Sequence, residues 1–218
     1  MIKAFLRVAI ALVFVTACKK KEPVVEPTPD TTNPTITLKG NASDTISLNS
    51  TYSDPGATAN DDRDGDISSR VTVVGTVDKS RVGGNYLYYS VQDAAGNSAQ
   101  VSRYVYVRND AYKLEGNYTT VSNCGTNFMG INATSVIKTS TTNNNQISIS
   151  NQQFQSSGFS VTASINGTSL TMYTQPVGTS LASGVGTLSV DGKSFTLTTT
   201  YTPPIQGSSG CTIVYTRQ

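Results

Sequence analysis

The residues best placed to do chemistry are a run of carboxylates. Asn60-Asp61-Asp62-Arg63-Asp64-Gly65-Asp66 sets oxygen donors at alternate positions, Asp62, Asp64 and Asp66, around a glycine. That pattern suits a hard cation such as Ca2+, which takes oxygen ligands. It equally suits a tight turn in which Asp side chains accept hydrogen bonds from nearby backbone N–H groups. The EF-hand pattern fails at its last ligand, because Val71 stands where a bidentate Glu belongs. A weak calcium site and an Asx-stabilised turn therefore both stand as readings. No other cofactor is expected.

Elsewhere the composition excludes more than it offers. The 218 residues contain no His and no Trp. Without His there is no Ser-His-Asp or Cys-His nucleophilic site and no imidazole metal ligand. A glycosidase needs two flanking carboxylates, and residues 111–218 hold only Glu115 and Asp191, the latter in a turn signal. The chain is accordingly read as non-enzymatic. A net charge of +2 excludes the strongly basic balance of a nucleic-acid binder. What remains is neutral hydrogen-bonding chemistry. Tyr173, Gln175 and Tyr201 fall near hairpin ends, where a binding mouth could form, and tyrosine with Ser, Thr and Asn suits an uncharged ligand such as a glycan.

The elements that must position these residues are strands. Charged residues are only 14% of the chain, while Ser, Thr, Asn, Gly and Tyr dominate, a palette of strands and turns. Alternating segments at 35–38, 45–48, 71–74, 86–91 and 101–107 are separated by turn signals at Asp54-Pro55-Gly56, Asp64-Gly65-Asp66, Gly83-Gly84 and Ala95-Gly96-Asn97. This spacing predicts a small seven-strand antiparallel sandwich over 34–109.

Residues 111–218 form a second unit, in which 36 of 108 residues are Ser or Thr and six are charged. Asn166-Gly167 predicts a hairpin pairing Ile165 with Thr168, Ala163 with Leu170 and Val161 with Met172. Asp191-Gly192 predicts another, pairing Leu188 with Phe195 and Gly186 with Leu197. Each register puts the apolar residues on one face. Further strands at 116–121, 133–138, 146–150 and 212–217 give about eight in hairpin order. The fold class is thus all-β: a sandwich followed by an antiparallel meander, closed as an up-and-down barrel or packed as a second sandwich.

The N-terminus is a targeting segment. Lys3 and Arg7 precede an apolar run from Ala9 to Val15 that is too short to span a bilayer, which takes about 20 residues. Val15-Thr16-Ala17-Cys18 resembles the lipobox of bacterial lipoproteins. The resemblance implies cleavage of residues 1–17 and lipidation of Cys18, which anchors the chain to membrane. Loss of Lys3 and Arg7 leaves 14 basic and 14 acidic residues, a formally neutral chain. Residues 18–33, rich in Lys, Glu, Pro and Thr, read as a flexible tether reaching roughly 45 Å at about 3.1 Å per residue. The start Cys18-Lys19-Lys20-Lys21-Glu22 resembles the charged segments of Bacteroidetes lipoproteins sent to the cell surface. It implies an outer-membrane location, with surface display favoured over the periplasmic face.

The segments NPTITLKG, TYSDPGATANDDRDGDIS and VTVVGTVDKSRVGGNYLYYSVQDAAGNSAQVSRYVYV closely resemble the bacterial immunoglobulin-like domain named from a pesticidal crystal protein. The marker turns are Tyr52 to Ala57, Asp64-Gly65-Asp66 and Asp93 to Asn97. The resemblance implies a fold and a spacer or adhesive role, not an activity. Tyr112 to Tyr118 onward through the Cys211 strand is similar to the C-terminal domain of uncharacterised Bacteroidetes lipoproteins. With Cys18 used by lipid, Cys124 and Cys211 remain, on strands that are neighbours in a closed meander. Export permits a disulfide between them, two free thiols being the alternative. The expected function is a lipid-anchored envelope protein whose immunoglobulin-like stalk presents the second unit for binding glycans or other envelope proteins. The alternative is a structural or assembly partner of an outer-membrane complex.

Overall fold

The computed structural model describes residues 28–124, 131–151, 159–205 and 208–218. Cys18, the leader 1–17 and the tether up to residue 27 lie outside the described residues.

The first unit contains β1 (Thr35–Leu38), β2 (Ser43–Ser47), β3 (Ala57–Asp61), β4 (Gly65–Asp66), β5 (Thr72–Val74), β6 (Gly83–Gln92) and β7 (Ser98–Arg108). They form two sheets, ordered β1-β3-β4 and β2-β7-β6-β5. One expectation needs correction: the sandwich is not wholly antiparallel, because β2 runs parallel to β7 with Thr45 opposite Tyr106. The chain crosses to the other sheet between β2 and β3, so β2 lies along the last strand in the same direction. β3 falls on residues whose turn-like composition hid a strand.

Period-two alternation decides which side chains are inside. On β6, Leu87, Tyr89 and Val91 are buried while Tyr86 and Tyr88 are exposed. On β7, Arg103, Val105 and Val107 are buried. Arg103 is fully buried and tethered on every side. It donates to the carbonyls of Asn41, Lys39 and Gly56 and to the Tyr89 hydroxyl, and it pairs with Asp54 at 3.3 Å. The Tyr89 hydroxyl in turn donates to Asp54 at 2.5 Å. Asp93 organises the β6–β7 turn, accepting from the N–H groups of Gly96 and Asn97.

The second unit is a closed eight-strand barrel, with each strand hydrogen-bonded to the next in sequence and the last to the first. Its strands are β8 (Gly116–Asn123), β9 (Ile131–Thr139), β10 (Gln146–Asn151), β11 (Phe159–Asn166), β12 (Ser169–Val177), β13 (Ser180–Leu188), β14 (Ser194–Ile205) and β15 (Ser208–Arg217). Closure leaves no exposed edge for pairing with another chain. The β13–β14 register is as expected, Leu188 opposite Phe195 and Gly186 opposite Leu197. The β11–β12 register is not: Ile165 opposes Leu170 and Asn166 opposes Ser169. The turn residues are Gly167 and Thr168, with Gly167 at φ 60°, so the pairing moves by two positions. A shift of two leaves every side chain on its expected face, which is why the predicted apolar face survives.

The barrel lumen is filled. Ile137, Ile147, Ile149, Leu170, Leu197 and Ile213 are each at most 1% exposed. At the end next to the first unit, Phe195 stacks on Tyr215 at 4.3 Å and Tyr118 meets Phe195 edge-on at 5.6 Å. Gly186 is needed on β13 because a Cβ there would lie 2.2 Å from the Thr196 carbonyl oxygen. The Cys124–Cys211 disulfide is present, joining the end of β8 to β15 with Cα atoms 4.1 Å apart.

Asn109 fixes the two units together. Its side chain, 1% exposed, donates to the carbonyls of Ser140 and Asn143 and accepts from the N–H groups of Ala111 and Asn145. It thereby caps the one-turn 3-10 helix Asp110–Leu114 and holds the β9–β10 turn at once. Val82 N–H to Thr141 O and the Asn49 amide to Thr142 O add contacts from the first unit.

Candidate functional site

The acidic run does not form the expected three-carboxylate set. Asp64 pairs with Arg70 at 2.7 Å and accepts from Ala94 N–H. Asp66 accepts from the Ser68 hydroxyl and N–H, which hold its carboxyl below the usual carboxylate range. Asp62 is exposed. Asp66 thus makes the contacts of a tight turn, and Asp64 is held by Arg70 and the Ala94 N–H. Asp61, which the alternate-position pattern passed over, is the buried carboxylate.

Tyr173, Gln175 and Tyr201 do not converge on one mouth. Tyr201 faces the lumen at 6% exposure, where its hydroxyl accepts from Thr199 and burial raises its pKa. Tyr173 faces outward at 68%. Gln175 follows a register irregularity in β12. Its amide oxygen accepts from Thr162 N–H at 2.8 Å and its amide nitrogen donates to Thr162 O at 2.8 Å. Direct β11–β12 pairing ends at Ser164 and Thr171, so this side chain continues the ladder in place of a backbone. The barrel also buries the polar side chains of Thr120, Ser122, Ser135, Ser180 and Thr199. On the outside, hydroxyls pair across strands: Ser148 with Ser160, Ser183 with Thr200, and Thr198 with Thr212. Much of the Ser/Thr content therefore stabilises the barrel wall itself.

The two carboxylates of this unit are also structural. Glu115 accepts from the N–H and hydroxyl of Thr139. Asp191 accepts from the Ser189 hydroxyl and Lys193 N–H, which lower its pKa. An open cleft of about 580 Å³ lies between Tyr112, Lys113, Asp191, Lys193 and Arg217. Arg217 there is exposed and donates to the Lys113 carbonyl at 2.6 Å.

The most distinctive surface is on the first unit. Tyr86 and Tyr88 of β6 and Tyr104 and Tyr106 of β7 share the outer face of one sheet. Ring centroids run Tyr88 to Tyr86 at 6.0 Å, Tyr86 to Tyr104 at 5.0 Å and Tyr104 to Tyr106 at 6.4 Å. Tyr86 and Tyr88 are 50% and 43% exposed. Gly84 makes room for this array, since a Cβ there would lie 2.5 Å from the Tyr104 ring and hydroxyl. Val74, 65% exposed, extends the face opposite Tyr88. At the other end Arg108 sits 3.7 Å over the Tyr112 ring. The sequence signal for this surface was the i, i+2 tyrosine spacing on two adjacent strands, but only the register Tyr86 opposite Tyr104 joins the pairs into one array.

Residues 36–107 match the family model for the bacterial surface protein Ig-like domain. This unit is therefore of a type found in bacterial surface proteins, in keeping with a cell-envelope location. A search of curated proteins finds no match. Among solved structures, a lipoprotein from Bacteroides thetaiotaomicron is similar over 84% of this chain and all of its own, at 17% identity and a TM-score of 0.39. The CBM51-2 and INT domains of Clostridium perfringens ZmpB, with CBM51-2 in complex with GlcNAc, are similar over 76% of this chain and 29% of theirs, at 19% identity and a TM-score of 0.30. Likenesses this weak carry no functional conclusion.

Proposed function

We propose that this is a lipid-anchored binding protein of the bacterial cell surface, held by Cys18, and that it binds neutral glycans. The observation that carries the binding reading is the four-tyrosine array, in which Tyr86 and Tyr88 are exposed and Tyr104 and Tyr106 half-buried. Exposed aromatic clusters of this kind mark interaction sites on otherwise polar proteins. The apolar C–H faces of a pyranose stack on aromatic rings, while the phenol hydroxyls can bond the sugar's own hydroxyls. The array lies in the immunoglobulin-like unit, so this unit is a binder as well as a spacer. The barrel then serves as a rigid companion: its described lumen is occupied by its own side chains, and Asn109 locks it to the first unit.

The test is a glycan array probed with the mature protein in detergent, alongside the double variant Tyr86→Ser, Tyr104→Ser. These changes lie on an exposed face and leave the core intact. Binding that falls at least tenfold in the variant, and that changes little between low and high salt, supports the reading. Binding unaffected by the variant moves the site to the barrel. Wild-type protein that binds nothing across the panel favours the alternative, an assembly partner in an envelope complex.

A further inference from the structure

Asp61 carries an unmet requirement. It ends β3 at 3% exposure. Its Oδ1 accepts from the N–H groups of Arg63 and Asp64 at 3.0 and 2.9 Å. Its Oδ2 is equally buried and receives no hydrogen bond from any described residue. A buried charged oxygen without a donor is costly, and buried polar groups almost always find a partner. The groups around it make matters worse. Asp30, Asp61 and Asp62 each bring a carboxylate oxygen to within 4.8 Å of the others. Asp30 is itself only 10% exposed at its side chain. Three carboxylates this close repel one another unless a cation sits between them.

Arg63 does not resolve the conflict. Its Nε lies 3.9 Å from Asp30 Oδ2, and its two terminal nitrogens bond the carbonyl and hydroxyl of Thr28 at 2.7 and 3.2 Å. The guanidinium offsets Asp30 from the rim and donates nothing to Asp61 Oδ2.

We propose that Asp30, Asp61 and Asp62 form a divalent-cation site selective for Ca2+. Ligand oxygens about 2.3–2.6 Å from one ion lie at most about 5.2 Å apart, and the three carboxylates satisfy that limit. One ion would neutralise the like charges and give Asp61 Oδ2 its partner. The exposed Asp62 leaves room for waters to complete six to eight ligands. Ca2+ tolerates such an irregular set, whereas Mg2+ demands near-ideal octahedral geometry. The site differs from the alternate-position set, since Asp64 and Asp66 are held by Arg70 and Ser68. It also has a mechanical consequence. Asp30 precedes β1, and Asp61 and Asp62 lie at the β3–β4 turn, so the ion ties the incoming segment to the body of the first unit. The exit direction of the lipid tether is then set by calcium.

The experiment titrates CaCl2, and separately MgCl2, into the mature protein in detergent. Calorimetry and thermal unfolding are the readouts. One Ca2+ per chain is expected, with Kd on the order of 10⁻⁴–10⁻³ M as for other extracellular modules, and a rise of about 5 °C in the midpoint of the first unit's transition. Asp30→Asn and Asp62→Asn should each weaken Ca2+ binding at least tenfold. Asp61→Asn, which keeps the Oδ1 acceptor, should abolish it. Arg63→Ala should tighten it, and the double variant Asp64→Asn, Asp66→Asn should leave it within twofold. No heat and no midpoint shift in the wild type at about 10 mM Ca2+, well above that range, overturns the proposal. So does binding that survives Asp30→Asn and Asp62→Asn but is lost in the Asp64, Asp66 variant. If Asp61→Asn does not fold, the Asp30 and Asp62 variants still decide the matter.

Discussion

The two units solve the problem of a β core in opposite ways. The first unit organises itself around a fully buried cation, Arg103, held by three backbone carbonyls, Tyr89 and Asp54. The barrel organises itself around a large apolar cluster, with buried Ser and Thr hydroxyls beside it, stapled by Cys124–Cys211. A sandwich of two short sheets encloses little apolar volume, and a satisfied polar network specifies how its loops meet. A closed barrel surrounds its lumen on all sides and needs no such network. Both units bury apolar side chains, but the first adds a directional polar network around one cation, while the second adds a covalent staple.

The sharpest way to separate the two is to remove the staple. Replacing Cys124 and Cys211 together by Ser should lower barrel stability by about 4–5 kcal/mol, the chain-entropy cost of freeing a loop that closes across 87 positions. Denaturant unfolding should show this transition shifting while that of the first unit stays put.

Next in size is Arg103→Met. It removes the donor to three carbonyls and leaves Asp54 without its cation, at a cost of roughly 3–5 kcal/mol. Here the first unit should melt early while the barrel is unaffected. Should the barrel fall equally, the units are one cooperative block and the contrast fails.

Asn109→Ala tests the boundary between them. Several backbone groups of the β9–β10 turn and the 3-10 helix would lose their partner, costing about 2–3 kcal/mol. Protease cleavage near residues 140–145 should rise before either core unfolds.

The smallest effect is acid sensitivity. Burial pushes the Asp93 pKa up, but hydrogen bonds from Asn97 and Gly96 outweigh it and hold the group below its ordinary 3.8. Hydrogen bonds from Ser68 and Ser80 likewise lower Asp66 and Asp78. A carboxyl whose folded pKa is depressed contributes stability that is present above the unfolded pKa and lost as pH falls through the folded one. Three such groups lie in the first unit, against Asp191 in the barrel. Circular dichroism on lowering the pH below 3.8 should therefore show the first unit loosening before the barrel. Simultaneous loss would show that these turns matter less than the junction.

Much of this arrangement was legible in the residues. The alternation on 86–91 and 101–107 identified the strands, and the Asp191-Gly192 turn set the β13–β14 register. The cysteine pairing followed from strand order in a closed meander. Other features were hidden. Asn166-Gly167 pointed to a turn one residue too early, because a glycine with positive φ can serve either central position. β3 was missed because Ala57–Asp61 has no strand composition of its own and is a strand only through its pairing with β1 and β4. Ser and Thr looked like ligand-binding material, but many of them pair across barrel strands.

The binding surfaces show the same division. Tyrosines at i and i+2 must share a sheet face, since that follows from the local pleat alone. Their union into one array of four required β6 and β7 to pair in a particular register. The acidic run marked 60–66 as a charged turn, because Asp side chains find backbone N–H groups within a few residues. Which of its carboxylates is cut off from water was not a local matter. Asp64 met Arg70 and Ala94, Asp66 met Ser68, and Asp61 was sealed in beside Asp30, which arrives from outside the sandwich. Local backbone geometry is decided by neighbours in sequence. Desolvation depends on what the fold brings from elsewhere, and only the tertiary structure supplies that.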